Sequence, residues 1–197
     1  MNPNTILADA PSTVIVGGVP IPIQTDFRTG IRVMKAVDDS TLEEREKLYV
    51  VLVNYYGIDL PEIVLRNQEE AVEKALFFLN FNEPRKPKIQ GVPISKDRTW
   101  DWDWDARRLI ADFHREYGIE LADPNTKMHW WDFYGRFKGL SDTSQTVYAI
   151  SIRGTVPHKD MSAAEKKRLK LQKAELMLPA RTEEEAEKLT NFVWGLE

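Results

Sequence analysis

Residues 100–121, WDWDWDARRLIADFHREYGIEL, contain a clear helical pattern. From Ala106 to Tyr117 its apolar residues recur at spacings of three and four, which is the period of one helix face. Gly118 can then adopt a left-handed conformation that ends the helix, with Ile119 folding back on it. The stretch therefore predicts a helix with a defined start and end, in a mainly helical protein.

The alternation of tryptophan and aspartate before this helix has a structural and a metal-binding interpretation. In an extended segment alternate side chains point to opposite sides, so the tryptophans would face the core and the aspartates would cap and charge the helix N-terminus. The residues concerned are Trp100, Trp102 and Trp104, and Asp101, Asp103 and Asp105. As a calcium loop the run is incomplete, because Ala106 stands where glycine is required and the bidentate glutamate is missing. We therefore expect a structural role and no metal site.

The N-terminal side predicts a β-hairpin followed by helices. Residues 13–16 are mostly β-branched, two glycines at 17–18 suit a tight turn, and the prolines within 19–23 suit an edge strand. Three helices should follow: one opened by Asp26, Phe27 and Arg28, one capped by Ser40 or Thr41 and ended by Gly57, and one beginning near Gln68. Their buried faces should include Ile31, Met34 and Val37, then Leu48, Leu52 and Tyr55, then Ala71, Leu76 and Phe77.

The C-terminal side predicts four more helices. The first should begin near Thr126 and bury an aromatic face rather than stack on nucleic-acid bases. Its aromatic and cap residues are His129, Trp130, Trp131, Phe133, Tyr134 and Phe137. Ser141 can cap the next helix, which Gly154 ends. The last two helices begin at capping-box sequences, Ser162 with Glu165 and Thr182 with Glu185.

These elements predict a mainly α protein, a multi-helix bundle with a short N-terminal β-hairpin. We divide it into an N-terminal hairpin and helical lobe (1–82), a proline-rich basic linker or crossing loop (83–99), a central aromatic helical lobe (100–157) and C-terminal helices (158–197). The helix of 162–177 has a thin apolar stripe, which favours a segment that projects from the body.

Composition narrows the classes of function. The 197 residues contain no cysteine and carry a formal net charge of -4, which argues against thiolate chemistry and against general binding of nucleic acid. The N-terminus has no secretion signal and the apolar runs are too short to cross a membrane, so we expect a soluble protein that stays where it is made. The three histidines have no zinc-ligand spacing, and no nucleophile turn or phosphate loop is present. We expect neither catalysis nor a cofactor.

With these residues laid out, the chain resembles the bacteriophage gene product fifteen family, found in tail operons of long-tailed phages of Gram-positive bacteria. The resemblance covers residues 13–178, and its most specific part is the central block. The matching residues include Asp26, Phe27 and Arg28, the run from Trp100 to Asp105, Tyr117 and Gly118, and His129, Trp130 and Trp131. The chain departs from the family pattern in having tryptophan at all three aromatic places of the run. The terminal helix lies outside the resemblance.

The resemblance implies a tail assembly chaperone that binds the tape-measure protein and the major tail protein in the host cytoplasm, has no catalytic residues, and is absent from the mature virion. A homo-oligomer or a partner chaperone encoded nearby is compatible with it, and neither nucleic acid nor a membrane is an expected partner. The alternatives are a structural tail component retained in the virion and, least favoured, a metal-dependent enzyme using the aspartate run. Candidate partner-binding residues are Leu169, Leu176, Leu189, Val193 and Trp194.

Overall fold

The computed structural model describes residues 9–80 and 98–194, in which the mainly α architecture with an N-terminal hairpin is confirmed. Nearly all of the predicted 83–99 linker lies outside the described residues. The elements are β1 (Thr13–Val16), β2 (Val19–Pro22), α1 (Phe27–Asp38), α2 (Glu44–Tyr56), α3 (Glu62–Arg66), α4 (Gln68–Leu79), α5 (Ala106–Tyr117), α6 (Trp130–Lys138), α7 (Gln145–Gly154), α8 (Ala163–Glu175) and α9 (Glu183–Trp194).

The chain forms two compact units that are not continuous in sequence. The first consists of Met1–Lys86 and Lys127–Gly139, and the second of Pro87–Thr126 and Leu140–Glu197. The sequence-based division placed 127–139 in the central lobe, whereas the structure places α6 in the first unit. The reason is tertiary: the buried aromatic side chains of α6 complete the core formed by α1, α2 and α4.

The hairpin follows its sequence pattern. Strands β1 and β2 pair antiparallel with Val16 opposite Val19, and the two glycines between them have φ of +56° and +79°. Both values lie in the left-handed region that this two-residue turn requires. Val16 and Ile21 point into the core, while the Gly17 N–H donates to Glu70 Oε2 of α4 at 2.8 Å.

Helix α1 begins where the sequence predicts, but it buries a different face. Asp26 caps it by accepting the Arg28 N–H at 2.9 Å. The buried residues are Phe27, Gly30, Val33 and Ala36, and not the predicted Ile31, Met34 and Val37. Gly30 explains why this face is the buried one. A Cβ added at Gly30 would lie 2.1 Å from Trp130 Cε3, so the α6 indole packs where a side chain would otherwise lie.

Helices α2 and α4 also depart from their predicted stripes. A capping box of Glu43 and Glu46, rather than Ser40 or Thr41, begins α2. Leu48 is exposed although Leu52 and Tyr55 are buried as expected. In α4 the buried residues are Ala71, Ala75, Phe78 and Leu79, whereas the predicted Leu76 and Phe77 are exposed.

In the second unit α5 begins and ends as predicted, and Gly118 adopts a left-handed conformation with φ of +66°. Gly57, in the first unit, ends α2 in a different conformation, φ +98° and ψ 165°, so the two helix ends are not equivalent. The Ser162–Glu165 capping box of α8 is confirmed, whereas Ser144, not Ser141, caps α7. No helix within 9–80 and 98–194 is both long and apolar enough to span a membrane.

Candidate functional site

The tryptophan–aspartate run forms a tight turn instead of an extended segment. Asp101 Oδ1 accepts the backbone N–H groups of Asp103 and Trp104, both at 2.9 Å. This side-chain-to-backbone pattern is an Asx turn, which aspartate favours over extended structure. The prediction for the run is therefore wrong in its geometry, because the turn destroys the alternation of inner and outer side chains.

The turn reverses the expected burial of the run. Asp101 and Asp105 are buried, whereas Trp104 is 55% exposed. Trp100 and Trp102 are half-buried, with their rings edge to face at 5.5 Å. Asp105 occupies the N-cap position of α5 but its side chain makes no capping hydrogen bond. Asp101 and Asp105 therefore lie in the interior of the second unit, whereas the three tryptophans are half-buried or exposed.

The interior partner of Asp105 is Arg153, at the end of α7. Arg153 Nη1 lies 2.6 Å from Asp105 Oδ2 and Nη2 lies 3.0 Å from Oδ1, which is a bidentate pair. Arg153 Nε donates to the Leu176 carbonyl at 2.6 Å, and Nη1 also donates to the Thr99 carbonyl at 3.1 Å. Arg108 adds a second guanidinium to Asp105 at 2.7 Å. One buried ion pair therefore ties the turn, α5, α7 and the end of α8 together.

Asp101 forms a second ionic cluster at the beginning of α9. Its Oδ2 accepts Arg98 Nη1 and, at 2.7 Å, Arg181 Nη2. Arg98 also reaches Glu185 of α9 at 3.3 Å, and Glu185 accepts the Arg181 N–H at 2.8 Å. Burial raises the pKa of Asp101, but its two backbone N–H donors and Arg181 outweigh this effect and lower the pKa from 3.8 to about 2. Asp101 is therefore an anchoring carboxylate.

The three aspartates of the run do not converge on a common point for a cation. Asp105 and Asp101 are bonded to arginines, and Asp103 is exposed. Over the parts of the chain that the structure describes, no group of three or more histidine, aspartate or glutamate side chains is placed to hold a metal ion. The arrangement is that of a structural ionic network.

Two charged residues of this interior were missed by the sequence analysis, and both carried a signal. Asp112 lies beside Leu109 and Phe113 on the apolar face of α5, and its carboxylate accepts the Thr146 N–H at 2.7 Å at the start of α7. Arg153 follows Ala149 by one helical turn on the buried face of α7. A charge on an apolar helix face requires a buried partner, so the spacing could have indicated both.

In the first unit, two further groups of residues that carry the resemblance lie side by side: Asp26 to Arg28 and His129 to Trp131. Asp26 and His129 form an isolated antiparallel bridge, in which the Phe27 N–H donates to the Met128 carbonyl at 3.0 Å. His129 Nδ1 accepts the Trp131 N–H at 3.0 Å, so it caps α6 as Asp26 caps α1. The Arg28 guanidinium lies 4.4 Å from the centre of the Phe27 ring.

The aromatic face predicted for α6 is buried at Trp130 and Phe133 and half-buried at Tyr134 and Phe137. Trp130 and Phe133 are buried, and the Phe133 ring stacks on Phe27 at 5.1 Å. The indole N–H groups of Trp130 and Trp131 donate to the carbonyls of Leu79 and Phe78 at 3.0 and 2.9 Å. These bonds satisfy the polar atoms of both indoles in the interior, which suits a structural role.

The candidate partner-binding residues whose side chains are described are not fully exposed. Leu169 and Leu176 are buried within the second unit, because α8 turns this side inward, so the structure corrects the expectation that they are open to a partner. Leu189 is half-buried on α9. Val193 and Trp194 belong to the end of α9, and their side chains lie outside the described part of the structure.

Exposed apolar side chains are found instead on the α2–α4 pair of the first unit. The two helices pack together through Tyr55 and Phe78, whose rings are 5.2 Å apart. Elsewhere on these two helices, α2 exposes Leu48 and Tyr49, and α4 exposes Leu76 and Phe77. We refer to these four side chains as the α2–α4 apolar residues. Exposed apolar side chains are candidates for contact with another protein.

Comparison with known proteins places the chain in a phage family. No curated protein and no solved structure matches it. The family model described as Bacteriophage Gp15 protein matches residues 7–178. These include the turn, the Asp105–Arg153 pair and the aromatic core of α6, but not Arg181 and Glu185 of the second ionic cluster. The chain therefore belongs to the Bacteriophage Gp15 protein family.

Proposed function

We propose that this phage protein is a tail assembly chaperone that binds the tape-measure protein, the tail-tube protein or both while tails are assembled in the host cytoplasm. It acts by binding and not by catalysis, and it is absent from the finished virion. The observation that carries the proposal is the family match over residues 7–178. The interior charges support it, because the buried carboxylates are bonded to arginines or backbone N–H groups.

We assign partner binding to the α2–α4 apolar residues. A chaperone for a long helical protein must cover apolar helix stripes and release them again, which requires exposed apolar side chains on a stable scaffold. Leu48, Tyr49, Leu76 and Phe77 meet that requirement, since they lie on two helices whose inner faces are fixed in the core. Tyr49, which is 60% exposed, and Phe77 offer the largest contact areas.

Co-expression with the tape-measure protein of the same phage tests the proposal. The expected result is more soluble tape-measure protein and a complex that survives gel filtration. Tyr49→Ser combined with Phe77→Ser should weaken the complex at least about tenfold, as expected when anchoring aromatic residues are lost. The matched control is Ile58→Ser combined with Leu65→Ser, two other exposed apolar residues of the first unit, and it should leave binding unchanged.

The proposal fails if the tape-measure protein and the tail-tube protein both remain free of this chain at micromolar concentrations. Mass spectrometry of purified virions gives a separate test of the chaperone role. A chaperone is missing or far below stoichiometry, whereas a retained structural component is present in fixed ratio to the tail proteins.

A further inference from the structure

Helices α8 and α9 carry opposite charge. Helix α8 has five basic and two acidic residues, and α9 has four acidic residues and one basic residue. The chain as a whole has a net charge of only -4, so these helices are local concentrations of charge. Both lie in the second unit, and α9 lies beyond the region matched by the family model.

The basic surface of α8 is open. Leu169 is the buried residue of this helix, so the opposite side faces outward. Lys167, Arg168 and Leu171 share that outward side, because they are spaced by three and four residues. All three are exposed, Leu171 by 53%. This side combines two cations with one apolar side chain, and we call it the basic α8 face.

The acidic surface of α9 is open as well. Glu183 and Glu187 lie one helical turn apart and are both exposed. Glu185, by contrast, belongs to the cluster of Arg98 and Arg181 that fixes the beginning of the helix. We call Glu183 and Glu187 the acidic α9 face.

Within its own chain α9 is not laid along α8. The described contacts of α8 are mainly with α7, and no described helix packs extensively along α9. The ionic cluster at Asp101 holds the start of α9 by Arg181 Nη2, 2.7 Å from the carboxylate. The two oppositely charged faces therefore remain available to another molecule.

We propose that two copies of this chain associate through these faces, the basic α8 face of each copy binding the acidic α9 face of its partner. A two-fold axis makes both contacts at once, because in such an interface each patch meets its complement on the other copy. Pairing of like helices is disfavoured by charge repulsion. This dimer goes beyond the proposed chaperone function and does not depend on any tail protein.

Sedimentation velocity of the full chain, over a range of concentrations at 50 and 500 mM NaCl, tests the proposal. We expect a dimer whose Kd rises about tenfold or more at the higher salt, where charge attraction is screened within about 5 Å. Reversing the basic α8 face with Lys167→Glu and Arg168→Glu should weaken the dimer at least tenfold, as should Glu183→Lys with Glu187→Lys in α9. Combining all four substitutions should restore it, since the charges are again complementary.

The matched control is Arg45→Glu with Arg107→Glu, which changes the net charge as much as the α8 reversal but at two exposed arginines of other helices. It should leave the dimer intact, and circular dichroism should show native helicity for every variant. A wild-type chain that is monomeric at 100 µM in low salt overturns the proposal, as does a combined variant that remains dissociated. The charge-reversal variants could also shift the midpoint of unfolding by an amount that does not depend on protein concentration. That result overturns the proposal, because it indicates a contact within one chain.

Discussion

Asp105 and Arg153 meet where water does not reach, with side-chain exposures of 0% and 5%. Removing one partner of such a pair leaves the other charge buried without compensation, at a cost of about 3–5 kcal/mol. We expect Arg153→Met to lower the free energy of unfolding by about that amount at pH 7, measured by urea denaturation. Arg108→Met should cost less, because Arg108 is more exposed and Arg153 remains bonded to the carboxylate.

The exposed Arg66–Glu62 pair provides the control for this experiment. Both of its side chains are more than two-thirds exposed, so Arg66→Met should change stability by less than about 1 kcal/mol. If Arg153→Met and Arg66→Met are equally stable, the Asp105–Arg153 pair does not hold the second unit together.

Asp101 should make stability depend on acid pH. Its pKa is about 2 in the folded chain against an ordinary value of 3.8, so the ionised form is favoured by folding. The stabilisation is present above pH 4 and is lost as the pH falls from 4 toward 2, and it amounts to about 2 kcal/mol. Asp101→Asn retains an oxygen that can accept the turn N–H groups but loses the charge. It should therefore be less stable than the wild type at pH 7 and nearly equal to it at pH 2, as measured by urea denaturation at each pH.

Among the helices, two glycines should respond in opposite ways to substitution by alanine, one losing and the other gaining stability. Gly30 of α1 lies against Trp130, where a Cβ would come within 2.1 Å of the indole, and the indole is fixed by its bond to the Leu79 carbonyl. Gly30→Ala should destabilise the protein by about 2–3 kcal/mol through overpacking. Gly135 of α6 has no neighbouring atom within 4 Å of its Cβ position, so Gly135→Ala should stabilise by about 0.5–1 kcal/mol.

Differential scanning calorimetry of the two variants measures both effects. The melting temperature should fall for Gly30→Ala and rise for Gly135→Ala. Equal shifts in the same direction would mean that helix propensity alone governs both positions and that the contact between α1 and α6 is not tight.

Helix existence was predictable from sequence, whereas helix orientation was only partly so. The capping box of Ser162 and Glu165 and the left-handed Gly118 act within a few residues, so local pattern located those ends. The buried face of α1 depends on an indole about a hundred residues away, and nothing in the local spacing of α1 shows it. The apolar spacing within α1 therefore predicted that Ile31 and Val37 are buried, whereas the fold leaves Ile31 half-buried and Val37 exposed.

The prediction for the tryptophan–aspartate run was wrong for a related reason. Alternation predicts opposite faces only if the backbone is extended, and Asp101 instead bonds the N–H groups of the two residues that follow Trp102. Which aspartates become buried is then decided by distant arginines, Arg153 and Arg181. The sequence contained the charged residues but not their pairing, because the pairing exists only after α7 and the start of α9 are placed.

At the scale of the whole molecule, α6 makes the first unit discontinuous. It is separated in sequence from the rest of that unit by α5 and the turn before it, yet Phe133 stacks on Phe27 and both α6 indoles bond to the end of α4. The N-terminal lobe defined from sequence, 1–82, therefore lacks part of its own core. An aromatic-to-alanine change at such positions typically lowers the free energy of unfolding by about 3–5 kcal/mol. Removing all the buried aromatic residues of α6 should therefore cost more than the total stability of a small folded unit.

We accordingly expect a fragment of residues 1–86 to lack a cooperative unfolding transition in urea, because without α6 the inner faces of α1 and α4 meet water. The matched comparison is a single chain in which a flexible Gly/Ser linker joins 1–86 to 127–139. It should unfold cooperatively in urea, and the emission of Trp130 and Trp131 should shift to longer wavelength in the same transition. A third fragment, carrying Trp130→Ala in that linked chain, should be destabilised by several kcal/mol, about as much as loss of a large core side chain requires. Cooperative unfolding of 1–86 alone would contradict this account, since it would show that the N-terminal helices close a core without the aromatic residues of α6.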